Sequence, residues 1–105
     1  MNYGRAVKAI RAAKNLEQRD LAERAELDPS YISLIESNRR VPSSAALQAI
    51  AQALQTPLYL LMLLASDEDD LHGISKEEAR LLGAQLLDVL LQTDSNRDKY
   101  MQRRR

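Results

Sequence analysis

The sequence predicts an all-α fold, with five short helices forming one small domain and an additional C-terminal amphipathic helix. Three observations predict it. Apolar residues recur at helical spacing in successive short segments, such as Val7 and Ile10, Ile32 and Ile35, and Leu47 to Leu54. Phe and Trp are absent and Tyr occurs four times, so the core must be Leu, Ile, Val and Ala, which suit small helices in close contact. Helix-start punctuation precedes these segments at Asp28-Pro29, Pro42-Ser43, Thr56-Pro57 and in a Ser75-x-x-Glu78 box.

Taken in order, the first helix covers Tyr3 to Lys14, with Val7 and Ile10 buried, Arg5, Lys8 and Lys14 outside, and Asn15 ending it. The second starts near Gln18 and buries Leu21, Ala22 and Ala25. Asp28 caps the third, and Pro29 takes its first position, where a missing N–H costs nothing. Ile32 and Ile35 face inward from it. The fourth opens with Pro42 and a cap at Ser43 or Ser44, and buries Leu47, Ile50, Ala51 and Leu54. Thr56 and Pro57 start the fifth, which runs through Leu58 to Ala65. Ser75 and Glu78 head the last helix, predicted to reach about Thr93.

The 105 residues suffice for one compact domain, or a smaller domain with an appendage. The predicted divisions are a domain over 1–66, an acidic turn-forming linker over 67–74, a C-terminal helix over 75–95 and a basic, disordered tail over 96–105. The net charge of zero conceals segregation. Residues 1–66 carry eight Lys/Arg against six Asp/Glu, residues 67–95 two against eight, and residues 96–105 five against one. Attraction to phosphate follows the local patch rather than the total.

Several function classes are excluded by composition. There is no Cys for a disulfide or thiolate site, and the single His72 reads as a linker residue. The acids Asp67 to Asp70 lack the loop glycine of a usual cation site and read as solvated linker. With no nucleophile–base pair, phosphate loop or metal constellation, neither an enzyme, a metal nor a cofactor is predicted. The most apolar run, Leu58 to Ala65, is far shorter than the roughly 20 residues of a membrane helix, and the N-terminus has no apolar signal core. A soluble, cytoplasmic protein is expected.

From Glu17 to Leu54 the chain reads as two short helices joined by a tight turn, an exit loop with adjacent arginines, and a further helix. Arg11, Gln18, Leu21-Ala22, Ile32 and Ile35-Glu36 stand in order, followed by Asn38-x-Arg40-x-Pro42-Ser43 and Ile50-Ala51-x-Ala53-Leu54. Each is weak alone, but in this order and spacing they make residues 5–64 closely resemble the helix-turn-helix domain of the XRE/Cro/cI family of bacterial and phage transcriptional regulators. The resemblance implies a lambda-repressor-like five-helix domain. It also implies a sequence-specific regulator, repressor rather than activator, that binds a palindromic operator in double-stranded DNA as a homodimer. Two residues depart from the pattern. Glu26 stands in the turn where the family usually has Gly, at a position that tends to require positive φ. Asn38 replaces a common Gly after the third helix, a milder change because Asn tolerates the left-handed conformation.

The third helix leaves Ser30, Tyr31, Ser33 and Leu34 nearer the outside, a short and neutral face able to sink into a major groove about 12 Å wide. By their place in the family motif, Ser30, Ser33 and Leu34 are expected to meet base edges, with Tyr31 close by. The bland alternatives are that Ser30 only assists the Asp28 cap, that Leu34 is partly buried, and that Tyr31 lies against the second helix. No Arg, Gln or Asn stands on this face for bidentate reading, so DNA shape is expected to carry much of the specificity. Gln18 resembles the family residue that holds a backbone phosphate. Arg19, Asn38, Arg39, Arg40 and Ser43 complete the expected phosphate contacts. Arg11 and Glu36 resemble a buried structural ion pair tying the first helix to the end of the third.

In the C-terminal helix, Ala79, Leu82, Leu86, Val89 and Leu90 form one stripe, which Leu81, Leu87 and Leu91 widen beyond what a small domain needs. Such a helix folds back on the fifth or pairs with its copy. A homodimer built on Leu58, Leu61, Leu82, Leu86, Val89 and Leu90 is expected. The alternative is an antitoxin-like module whose C-terminal helix receives a different protein, with DNA binding serving autoregulation.

Overall fold

A computed structural model describes the backbone of residues 1–67 and 69–103, and the side chains of these apart from 71, 90 and 92–103. The described residues form α1 (Tyr3–Ala13), α2 (Gln18–Ala25), α3 (Pro29–Glu36), α4 (Ser44–Ala53), α5 (Leu58–Ala65), a 3₁₀ turn (Asp69–Leu71) and α6 (Lys76–Arg103). No strand occurs among them.

Local chemistry sets where each helix begins. Asn2 accepts from the Arg5 N–H at 2.9 Å, Asp28 from the Ser30 N–H at 2.9 Å, and Ser75 from the Glu78 N–H at 3.1 Å. Ser43 accepts from the Ala46 N–H at 3.1 Å, so the cap of α4 is Ser43 rather than Ser44. One device ends the first four helices. Asn15, Glu26, Asn38 and Gln55 adopt φ of 57°, 57°, 61° and 53°. In each case the next N–H bonds back to the carbonyl five residues earlier: Leu16 to Arg11, Leu27 to Ala22, Arg39 to Leu34 and Thr56 to Ala51. This left-handed closure usually falls to glycine, and here not one of the four is glycine.

The core gathers Val7 and Ile10 of α1, Leu21 and Ala22 of α2, Ile32 and Ile35 of α3, Leu47, Ile50 and Ala51 of α4, and Leu61 and Ala65 of α5. α1 packs on α5 and α3, and α2 on α3 and α4, so α3 is held from two sides. At Gly4 the approach is closest. A Cβ there would lie 2.5 Å from the Ile35 carbonyl oxygen and 2.9 Å from that of Glu36. Only glycine lets α1 meet the end of α3 at this distance.

Three features differ from the sequence reading. Leu61, expected at a subunit interface, is fully buried inside the domain, because its turn of α5 faces α1 and α4. The last helix continues to Arg103 rather than ending near residue 95, so residues 96–103 are helical where a disordered tail was expected; Arg104 and Arg105 lie outside the described residues. Nothing between Ala84 and Arg103 is Gly or Pro, so no local signal stops it. The acidic linker is tied down. The Met1 ammonium meets Asp67 and Asp70 at 3.0 Å each, and the Arg5 guanidinium donates to the Leu64 and Ser66 carbonyls at 3.0 Å, capping α5.

Candidate nucleic-acid interface

The end of α3 is locked by a buried network. Arg11 donates from Nε to Glu36 Oε2 at 2.7 Å and from Nη2 to Oε1 at 2.9 Å, a two-pronged pairing that fits a guanidinium to a carboxylate. Its third nitrogen donates to the Leu16 carbonyl at 2.7 Å. The Glu36 side chain is 4% exposed, and its bonds push the Arg11 pKa further up. Gln18, at the first position of α2, donates from Nε2 to Glu36 Oε1 at 3.1 Å. One carboxylate thus joins α1, the start of α2 and the end of α3, and half of the Gln18 amide is committed to it.

Around this anchor the side chains expected to meet DNA divide into free and engaged groups. Ser33 is exposed, Leu34 is half-buried, and Arg39 and Arg40 stand exposed on the exit loop. Ser30 is exposed, but its Oγ donates to Asp28 Oδ1 at 2.7 Å, so the hydroxyl has only lone pairs left to offer. That bond, then the Ser30 N–H, holds the Asp28 carboxyl below its ordinary range. Tyr31 is half-buried, packs on the core, and accepts at its hydroxyl from the Ser43 N–H at 3.3 Å. Arg40 lies over the Tyr31 ring, 5.4 Å from Cζ to centroid. Ser43 spends its Oγ on the α4 cap. Arg19 is exposed with Nη2 3.7 Å from Glu17 Oε2. Asn38 is exposed, with its Oδ1 beside Gly4.

The structure therefore brings Ser30, Ser33 and Leu34 onto one helix with Arg39 and Arg40 just beyond its C-terminal end. Sequence reasoning passed over Gly4, whereas the pairing of Ser30 with the Asp28 cap was one of its two alternatives. The signal for Gly4 was faint, because it stands at the second position of α1, outside the helix interior where glycine costs about 1 kcal/mol against alanine.

The leucines named for a subunit interface fall on different surfaces. Leu58 is half-buried against the core. Val89 is buried, and Leu82 and Leu86 are half-buried and line a cavity of about 400 Å³ with Leu63 and Ile74. Leu90 lies outside the described side chains. Among the described residues the exposed leucines are instead Leu81, Leu87 and Leu91, at 63%, 57% and 60%. Among the described residues no group of acids and His could hold a metal, and no single helix is long and apolar enough to cross a membrane.

Two helices crossing at a tight turn, the second with a small polar face turned outward, make up a helix-turn-helix, the arrangement that lays its second helix in a major groove. A family model described as helix-turn-helix matches residues 7–61, more than half of the chain, and the chain belongs to this XRE/Cro/cI-type family of DNA-binding transcriptional regulators. Among curated proteins it is similar to the immunity repressor protein of Bacillus phage phi105, with 46% identity over 54 residues, which are 51% of this chain and 38% of the repressor. It is also similar to the transcriptional regulator ClgR of Mycobacterium tuberculosis, with 33% identity over 64 residues, 61% of this chain and 57% of ClgR. The shared region thus spans less than two thirds of either relative's length. The family and these relatives are transcription regulators rather than enzymes.

Proposed function

We propose that this chain is a sequence-specific, cytoplasmic DNA-binding repressor that grips a palindromic operator as a homodimer and lays α3 in the major groove. The observation that carries the reading is the division of labour around α3. Its inner side and its end are locked by the core and by the Arg11–Glu36–Gln18 network, while Ser33, Arg39 and Arg40 are exposed. A rigid helix with free polar groups loses little on docking.

In this reading Ser30, Ser33 and Leu34 meet base edges with Tyr31 alongside, Leu34 offering a surface to a thymine methyl. Arg39, Arg40, Arg19, Asn38, the remaining half of the Gln18 amide and the Ser43 segment hold phosphates. Subunits pair through α6, where Leu81, Leu87 and Leu91 are uncovered, while Leu82 and Leu86 on the other side of the helix line the cavity beside Leu63. Replacing Arg39 and Arg40 by Ala should weaken binding about equally on operator and mixed-sequence DNA and reduce the salt slope by roughly 1 for each lost contact. Salt titrations of duplex binding test this, and unchanged affinity and slope would place both arginines in solvent.

The exposed leucines of α6 also favour a second reading, an antitoxin-like module in which this surface receives a different protein. Co-purification of one stoichiometric partner would support it, and a self-associated chain with no partner would oppose it.

A further inference from the structure

The exit loop after α3 carries two exposed arginines, and an exposed arginine holds a phosphate better when something restrains it beforehand. Its side chain has several rotatable bonds, and their freedom must be given up on binding. The loop's start is fixed by bonds from the Asn38 and Arg39 N–H groups to the Ile35 and Leu34 carbonyls, at 3.0 and 2.9 Å. Its far end is fixed by the Ser43 N–H donating to the Tyr31 hydroxyl at 3.3 Å. Between these points the Arg40 guanidinium lies over the Tyr31 ring, 5.4 Å from its centroid, within cation–π range. Tyr31 itself is half-buried and packs on the domain core.

We infer that Tyr31 is a positioning residue that acts on DNA through Arg40. Its hydroxyl closes the loop and its ring pre-orients the guanidinium, so that the phosphate-holding loop is held in fixed register with the reading helix on which Tyr31 sits. The inference rests on the DNA-binding function proposed above. It assigns Tyr31 a role in holding the backbone rather than in reading a base, so its removal lowers affinity for every sequence alike.

The test is a double-substitution comparison on the full chain, read by binding to a mixed-sequence duplex. Tyr31→Leu should weaken binding about two- to fivefold, the worth of an exposed cation–π contact. In an Arg40→Ala background the same substitution should lose most of that effect, because the group it orients is gone. Tyr31→Phe keeps the ring but leaves the Ser43 N–H without its partner, and should cost less than Tyr31→Leu. An equal cost of Tyr31→Leu in both backgrounds, or no cost in either, would overturn the inference. A second measurement needs no variant and no DNA. In the free wild-type chain the Arg40 side-chain protons should show upfield ring-current shifts, and random-coil shifts there would overturn it equally. A wild-type chain that binds no duplex, yet shows those shifts, would remove the DNA-binding function while leaving the Tyr31–Arg40 contact standing.

Discussion

Glu26 and Gly4 hold each other's natural residue. Glu26 adopts φ 57° and ψ 42°, where a side chain meets its own backbone, while Gly4 stands at the second position of α1, where a side chain would ordinarily be accommodated. The fold accepts both because each answers a local demand: closing α2 without glycine in one case, and admitting the carbonyls of Ile35 and Glu36 in the other. Substitutions at the two sites should act with opposite sign. Glu26→Gly should raise the unfolding free energy by roughly 0.5–1 kcal/mol, since it removes the left-handed penalty and keeps part of the entropic cost of glycine. Gly4→Ala should lower it by about 1–3 kcal/mol, because the atoms its methyl would strike are backbone and cannot swing away. Urea unfolding followed by circular dichroism measures both, and a stable Gly4→Ala chain would show that α1 and α3 are not in the close contact described.

Among the elements, the starts of the helices were legible in the sequence and much of the rest was not. Asp28-Pro29, Ser43 and Ser75 mark helix beginnings through chemistry confined to three or four neighbouring residues, which a sequence displays directly. Asn15, Glu26 and Asn38 were readable as ends, while Gln55 carried no signal, because left-handed closure by a long side chain is imposed by packing. The end of α6 was misplaced for want of any Gly or Pro to mark it. Leu61 was misassigned because α5 is apolar on nearly every side, so periodicity cannot say which leucine faces inward. The engagement of Gln18 with Glu36 is a matter of side-chain geometry beyond the reach of spacing, whereas that of Ser30 with Asp28 was legible as an alternative because the two are neighbours at a helix cap. The Arg11–Glu36 contact is what holds α1 to α3, and Arg11→Ala should cost about 3–5 kcal/mol by stranding a buried carboxylate. Replacing both partners by apolar residues of similar volume should recover most of that loss. Chemical denaturation of the two variants tests it, and equal stabilities would mean the carboxylate is not isolated.

At the scale of the whole molecule, the domain presents the Ser33 face of α3 on its surface and uncovered leucines on α6. The proposed repressor needs both, since a single α3 spans only one half-site and symmetry supplies the other. Leu87→Glu combined with Leu91→Glu should therefore shift the chain from dimer to monomer in sedimentation and weaken operator binding, while leaving the melting of the domain nearly unchanged. A wild-type chain that sediments as a monomer at micromolar concentration would contradict the pairing. The central claim is that two copies of α3 read DNA, and the most direct test is selection of binding sites from a pool of randomised duplexes, run with the wild-type chain and with Ser33→Ala. The account predicts that the wild type enriches an inverted repeat with half-sites centred about 10 bp apart, and that Ser33→Ala relaxes the preference within each half-site without loss of mixed-sequence binding. Enrichment of no motif, or of the same motif with equal stringency by both chains, would contradict it.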